Sequence, residues 1–140
     1  MNPQSVISGD GTPADPWRLR TPSLTSEFQA WRDESATPPA LFVQVGSTRL
    51  SYHLRGIADL AAMLKAHGDW MSLGAADEGK PVQPGTIEAW ARDESNPVGG
   101  YYGLRKGYRG RFANYVCAVA EALGLIELEH NAKNNRARAN

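Results

Sequence analysis

The run GGYYGLRKGYRGRFANY, residues 99–115, joins four Tyr, one Phe, three Arg and one Lys with five Gly. Glycine supplies bare backbone, guanidinium groups fork onto phosphate oxygens, and tyrosine rings offer flat faces on which bases stack. Arg105, Lys106, Arg109 and Arg111 are the phosphate-contacting candidates here, with Tyr101 and Tyr108 as stacking candidates. Tyr102 is expected to turn inward and serve the core. Lys133, Arg136 and Arg138 form a second cationic group near the end of the chain. Neither GxGxxG nor GxxxxGK[ST] occurs, so the run carries no dedicated nucleotide-loop pattern.

Charge supports the same end of the chain. The 140 residues balance fifteen Lys plus Arg against fifteen Asp plus Glu. Residues 1–97 hold eight basic against twelve acidic groups, whereas residues 98–140 hold seven against three. A neutral total thus conceals a basic C-terminal part of the kind that faces polyanions.

Signatures of catalysis are thin. Glu78-Gly79-Lys80, following Asp69 and Asp77, has the acid-x-lysine spacing of some metal-dependent nucleases, but the triplet falls in a loop rich in Gly and Pro. His53, His67 and His130 share no short metal spacing, and the single Cys117 has neither a disulfide partner nor an adjacent base. No GxSxG is present. No catalytic residue, metal or cofactor is expected. A lone cysteine fits a reducing compartment, and the first residues lack a basic start and apolar run, so a cytoplasmic protein with no membrane partner is expected.

Periodicity indicates the elements that must hold these groups. WRLR, residues 17–20, reads as a strand. In SEFQAWRDE, Ser26 and Gln29 have capping-box spacing and Phe28 and Trp31 lie one turn apart, which predicts a helix of about two turns. In LFVQVGSTRLSYHL, Gly46-Ser47 forms a two-residue loop that sets Val45 opposite Thr48, Val43 opposite Leu50 and Leu41 opposite Tyr52. Ile57, Leu60, Ala61 and Leu64 give a helix over 57–67 closed by Gly68. DWMSL is a short extended piece. Thr86 caps a helix over 86–95. Phe112, Tyr115, Val116, Val119, Ala120 and Leu123 make the apolar stripe of the last helix, ending at Gly124. LIELEH and RARA then read as a terminal hairpin.

That ending, ALGLIELEH running into a basic hairpin, resembles the last helix and wing of winged-helix DNA-binding domains. The resemblance implies a helix in the major groove and a wing along phosphates, although the gap before the last helix exceeds the usual short turn. The longer blocks DGTPADPW, VGSTRLSYHLR, LKAHGDWMSLGAADE, GTIEAWARDESNPVGGYYGLRKGYRGRFANY and EALGLIELEHNAKNNRARA resemble a family of small uncharacterised bacterial proteins of unknown function, across residues 10–139. That resemblance implies a free-standing bacterial domain and leaves its chemistry open.

The expected fold is a single α+β domain: a tail over 1–14, a strand, short helix and hairpin over 15–55, and a three-helix, winged-helix-like part over 56–140. The expected function is non-catalytic binding of DNA or RNA through the nine residues Tyr101, Arg105, Lys106, Tyr108, Arg109, Arg111, Lys133, Arg136 and Arg138. The alternative gives the same side chains to an acidic protein partner or a homodimer.

Overall fold

The computed structural model describes residues 6–140. Five strands come first: β1 (Val6–Ser8), β2 (Trp17–Arg20), β3 (Glu27–Asp33), β4 (Ala40–Val45) and β5 (Thr48–His53), paired in sequence order as an antiparallel meander. The β4–β5 register is the one the loop chemistry predicts, with Val45 opposite Thr48, Val43 opposite Leu50 and Leu41 opposite Tyr52. Residues 6–14, read as tail, carry β1 and a turn pinned to the sheet; the rest of that segment, residues 1–5, lies outside the described residues. Gly11 is obligatory in this turn because a Cβ there would stand 2.3 Å from the Trp17 ring.

The segment 26–34 corrects the helix expectation. It forms the central strand β3, with Phe28 and Ala30 buried while Gln29 points outward and is exposed. Both neighbours, β2 and β4, hydrogen-bond to it, and that two-sided pairing outweighs a local capping signal worth about 1 kcal/mol. Alternation of period two was present but masked by the coincidental one-turn spacing of Phe28 and Trp31.

The second half contains helix α1 (Gly56–His67), strand β6 (Met71–Ser72), the single turn α2 (Ile87–Trp90), helix α3 (Phe112–Ala122) and strands β7 (Ile126–Leu128) and β8 (Arg136–Ala139). Gly68 ends α1 in the left-handed conformation, its N–H donating to the Leu64 carbonyl. Thr86 caps α2 by accepting from the Ala89 N–H at 3.2 Å. The three last strands form a second sheet in the order β6-β8-β7.

This arrangement overturns the winged-helix expectation. The α2 segment is one turn rather than a second full helix, a long loop separates it from α3, and the chain is dominated by an antiparallel five-stranded sheet. The last helix is no groove-facing element. Phe112, Ala113 and every residue from Tyr115 to Glu121 are buried, because α3 packs against α1, β2 and β7. Leu123, expected on its apolar stripe, is 40% exposed.

The core lies on the inner face of the large sheet. Leu19, Phe28, Ala30, Leu41, Val43, Leu50 and Tyr52 meet Ile57, Leu60 and Leu64 of α1 and Val116, Val119 and Ala120 of α3 in one cluster. Phe28 stands edge-to-face on Tyr115 at 4.9 Å, and Tyr52 on Phe112 at 5.8 Å. Cys117 is sealed within this layer. No helix among the described residues is long and apolar enough to cross a membrane.

Candidate nucleic-acid interface

The glycine-tyrosine-arginine run is an ordered loop that borders β5. The His53 N–H donates to the Tyr102 carbonyl and the Leu104 N–H to the Ser51 carbonyl, so backbone 102–104 covers an otherwise open strand edge. Asn96 shapes the approach: its side-chain oxygen accepts from the N–H groups of Val98, Gly99 and Gly100, while its amide nitrogen donates to the Trp90 and Gly100 carbonyls. Two glycines permit close backbone approach. A Cβ on Gly103 would lie 2.4 Å from Arg109 Cα, and one on Gly110 would lie 2.4 Å from the Glu78 nitrogen.

Tyr102 is fully buried, as expected, and packs on Trp90 and Phe112 at 5.1 and 5.0 Å while its hydroxyl donates to Asp59 Oδ2 at 2.9 Å. Tyr101 lies beneath two guanidinium groups, Arg109 at 4.2 Å and Arg92 at 5.5 Å.

The acidic loop 76–80 lies against this run and matches its charges. Glu78 accepts from the Gly107 and Arg109 N–H groups and from the Arg109 guanidinium, with Nε at 2.9 Å. These bonds, led by the Arg109 side chain, hold its carboxyl down at about 2. Asp77 takes the Arg111 Nε at 2.6 Å, which lowers its pKa. Arg111 sits in the left-handed region at φ 59°, a conformation costing about 1–3 kcal/mol for a non-glycine residue. Its N–H donates to the Ala76 carbonyl at 2.8 Å and helps hold it there.

Beneath both loops, Arg92 donates to the carbonyls of Ala76, Asp77, Glu78 and Lys80. Glu88 caps α3 by accepting from the Phe112 and Ala113 N–H groups at 3.3 and 2.9 Å. Burial raises its carboxyl to about 7 despite those donors.

The terminal hairpin is balanced in the same way. Arg136 pairs with Glu129 at 2.6 Å and Arg138 with Glu127 at 2.9 Å, and both guanidinium groups lie over Trp70, at 5.3 and 4.5 Å. Lys133 lines a separate polar cleft of about 620 Å³ with Ser72, Asn114 and Asn134. No described hydrogen bond, ion pair or ring contact joins this hairpin group to the loop group.

Of the nine expected residues, the fold therefore brings Tyr101 to Arg109 and Tyr108 to Arg105, and it neutralises Arg109, Arg111, Arg136 and Arg138 with carboxylates. Arg105, Lys106 and Tyr108 stay exposed. Arg105 lies 4.0 Å over the Tyr108 ring and donates to the Arg49 carbonyl at 2.9 Å. Among the described residues, no carboxylate lies within ion-pairing distance of Arg49, Arg105 or Lys106.

Sequence reasoning missed Arg49 and the surface around it. Across the outer face of the large sheet, Arg18, Gln29, Gln44 and Arg49 fall in one row by register, and Trp31, Phe42 and Ser51 in the next. Trp31 and Phe42 stack at 5.7 Å with 24° between planes, and the Arg49 guanidinium lies 5.0 Å over Trp31. Neither ring belongs to the core or to the hydrophobics packed against it. The signal was the alternation in β3 and β4, obscured once 26–34 was read as helix.

Asp77 and Glu78 are engaged by arginine, and no group of three metal-competent side chains occurs among the described residues. Burial pushes the Cys117 thiol well up, opposite to what a nucleophile needs. A model described as a family of unknown function, DUF6855, matches residues 9–140. The chain belongs to that family. The match begins just after β1 and includes all three helices and both sheets beyond it, so the family is defined by the whole fold rather than by one motif. The chain matches no curated protein and no solved structure.

Proposed function

We propose that this member of the DUF6855 family is a non-catalytic nucleic-acid-binding protein acting in the reducing cytoplasm of a bacterium. Its contact surface centres on Arg49, Arg105 and Lys106 beside the exposed ring of Tyr108. The observation that supports this reading is the packing of Arg105, which lies on Tyr108 while bonding the Arg49 carbonyl. The Arg105 guanidinium of the glycine-rich loop is thereby held against the backbone of Arg49 on β5, and among the described residues no carboxylate pairs with either arginine. A lone buried thiol supports the compartment.

The four carboxylate-matched arginines contribute little to such a surface, so the footprint is small. Two or three phosphates give a logarithmic salt slope of roughly −2, at about −0.7 to −0.9 per phosphate. The test is a salt titration of binding to mixed-sequence DNA and RNA. Arg105→Ala with Lys106→Ala should lower the slope by roughly one to two, whereas Arg136→Ala should leave it unchanged. A wild-type protein that forms no salt-sensitive complex would reject the reading.

A further inference from the structure

The outer face of the five-stranded sheet is chemically unlike an ordinary solvated surface. Its middle strands β3 and β4 carry Trp31 and Phe42 opposite each other, and no described helix packs there. Ordinary outward positions of an antiparallel sheet are polar, because aromatic side chains gain by burial. Here two large half-buried rings stack side by side on the outward rows, flanked by Arg49, by the exposed Gln29 and by the half-buried Gln44. Strand β3 itself carries two carboxylates: Glu27, paired with Arg18 at 3.2 Å, and Asp33 at its far end, which accepts from the Ser35 N–H and hydroxyl. The side nearest β5 adds Arg49, Arg105 and the neighbouring Lys106, so the platform is continuous with the cationic edge described above.

We infer that this face binds single-stranded nucleic acid, with Trp31 and Phe42 as a platform for unpaired bases and Arg49 and Arg105 as the phosphate contacts alongside. This deepens the nucleic-acid reading above and rests on it. Three features favour an unpaired strand over a duplex. Aromatic rings stack only on bases whose faces are free. A broad sheet presents no helix for a major groove, and α3 is sealed in the core. The cations form a short line beside the rings, which suits a backbone running past splayed bases. In the free protein the Arg49 guanidinium occupies the Trp31 ring; an arriving base replaces it, and the released fork turns to the adjacent phosphate. Gln29 then offers a donor and an acceptor to base edges, and release of Arg49 frees Gln44 Oε1, which accepts from Arg49 Nε at 3.0 Å while Gln44 Nε2 donates to the Gly46 carbonyl at 2.9 Å.

The test measures binding of a labelled mixed-sequence oligonucleotide as single-stranded DNA, as single-stranded RNA and as the matching duplex, at fixed low salt. Single strands should bind roughly ten-fold more tightly than duplex, and Trp31→Ala should weaken single-strand binding roughly ten-fold, the worth of about one stacked base. Duplex binding should barely change. If alanine in the middle of a strand unfolds the sheet, Trp31→Thr supplies a β-favouring substitute and Phe42→Leu probes the partner ring. Circular dichroism and unfolding midpoints would confirm that each variant is folded. Equal affinity for single strand and duplex, unaffected by folded Trp31 and Phe42 variants but lost on Arg105→Ala with Lys106→Ala, would overturn the platform and leave the general reading intact. Absence of salt-sensitive binding to all three probes would overturn both. A dimer that dissociates on Trp31→Thr, with no oligonucleotide bound, would assign the face to a second copy and overturn the inference.

Discussion

The glycine-rich loop and the outer sheet face contain the same chemical classes, aromatic rings beside arginines, yet the fold treats them in opposite ways. In the loop, Tyr102 fills the core, Tyr101 lies under Arg92 and Arg109, and Glu78 and Asp77 engage Arg109 and Arg111. On the sheet, Trp31 and Phe42 stay outside the core, and among the described residues the Arg49 guanidinium hydrogen-bonds Gln44 and no carboxylate. Composition therefore identifies the ingredients of a binding surface, while topology decides whether they remain available. A run rich in Gly, Tyr and Arg is also what a tight loop needs when it covers a sheet edge and caps a helix.

The contrast makes graded predictions about stability. The largest concerns Tyr102: truncation to alanine should cost about 3–5 kcal/mol, as for other large buried aromatics, because Trp90, Phe112 and Asp59 all lose their partner. Trp31→Ala should cost about 1–2 kcal/mol in the same urea titration, since its half-buried ring loses the Phe42 stack and the Arg49 contact but no core neighbours. Comparable losses at the two positions would break the distinction between a structural loop and an available face.

Next is Glu88, whose carboxyl titrates near 7 in the folded protein against 4.5 when exposed. A raised folded value stabilises the fold most fully below pH 4.5, and that contribution is lost as pH rises through 7, by roughly 3 kcal/mol at most. Glu88→Gln should flatten the decline between those values while preserving the cap. An identical pH profile for variant and wild type would show that Glu88 is not the titrating group.

Glu78 works in the other direction. Its carboxyl is depressed to about 2, so its contribution is complete above pH 4.5 and disappears as pH falls through 2. Glu78→Gln should cost about 1.5–3 kcal/mol at neutral pH, the usual range for hydrogen bonds to a charged group, and should accelerate amide exchange at Gly107 and Arg109. The smallest effect is expected at the terminal hairpin. Arg136 and Glu129 pair in solvent, and Arg136→Ala should shift the thermal unfolding midpoint less than any of the other substitutions.

Individual elements, though not the fold class, were legible where local chemistry and tertiary context agreed. Gly46-Ser47 determined the β4–β5 register, Thr86 and Gly68 marked helix ends, and the alternation in Ile126–Leu128 and Arg136–Ala139 gave the final two strands. The failure at 26–34 arose where they disagreed. Ser26, Gln29, Phe28 and Trp31 satisfy a helical pattern locally, but partners distant in sequence, Leu19 and Phe42 among them, fix the extended form. The same misreading concealed the open face, because Trp31 appeared to share a helix side with Phe28 when it points away from it. Pairing of Glu78 with Arg109 across thirty-one positions was likewise illegible, since the intervening chain displays no period that would bring those loops together.

Cys117 gives the molecule an internal reporter. The only thiol in the chain sits fully buried in a helix packed between the two sheets, so a covalent labelling reagent reaches it only when those layers separate. Under conditions in which the chain recloses faster than it is labelled, the labelling rate measures how often the whole interior opens. Motions confined to the surface loops leave it untouched.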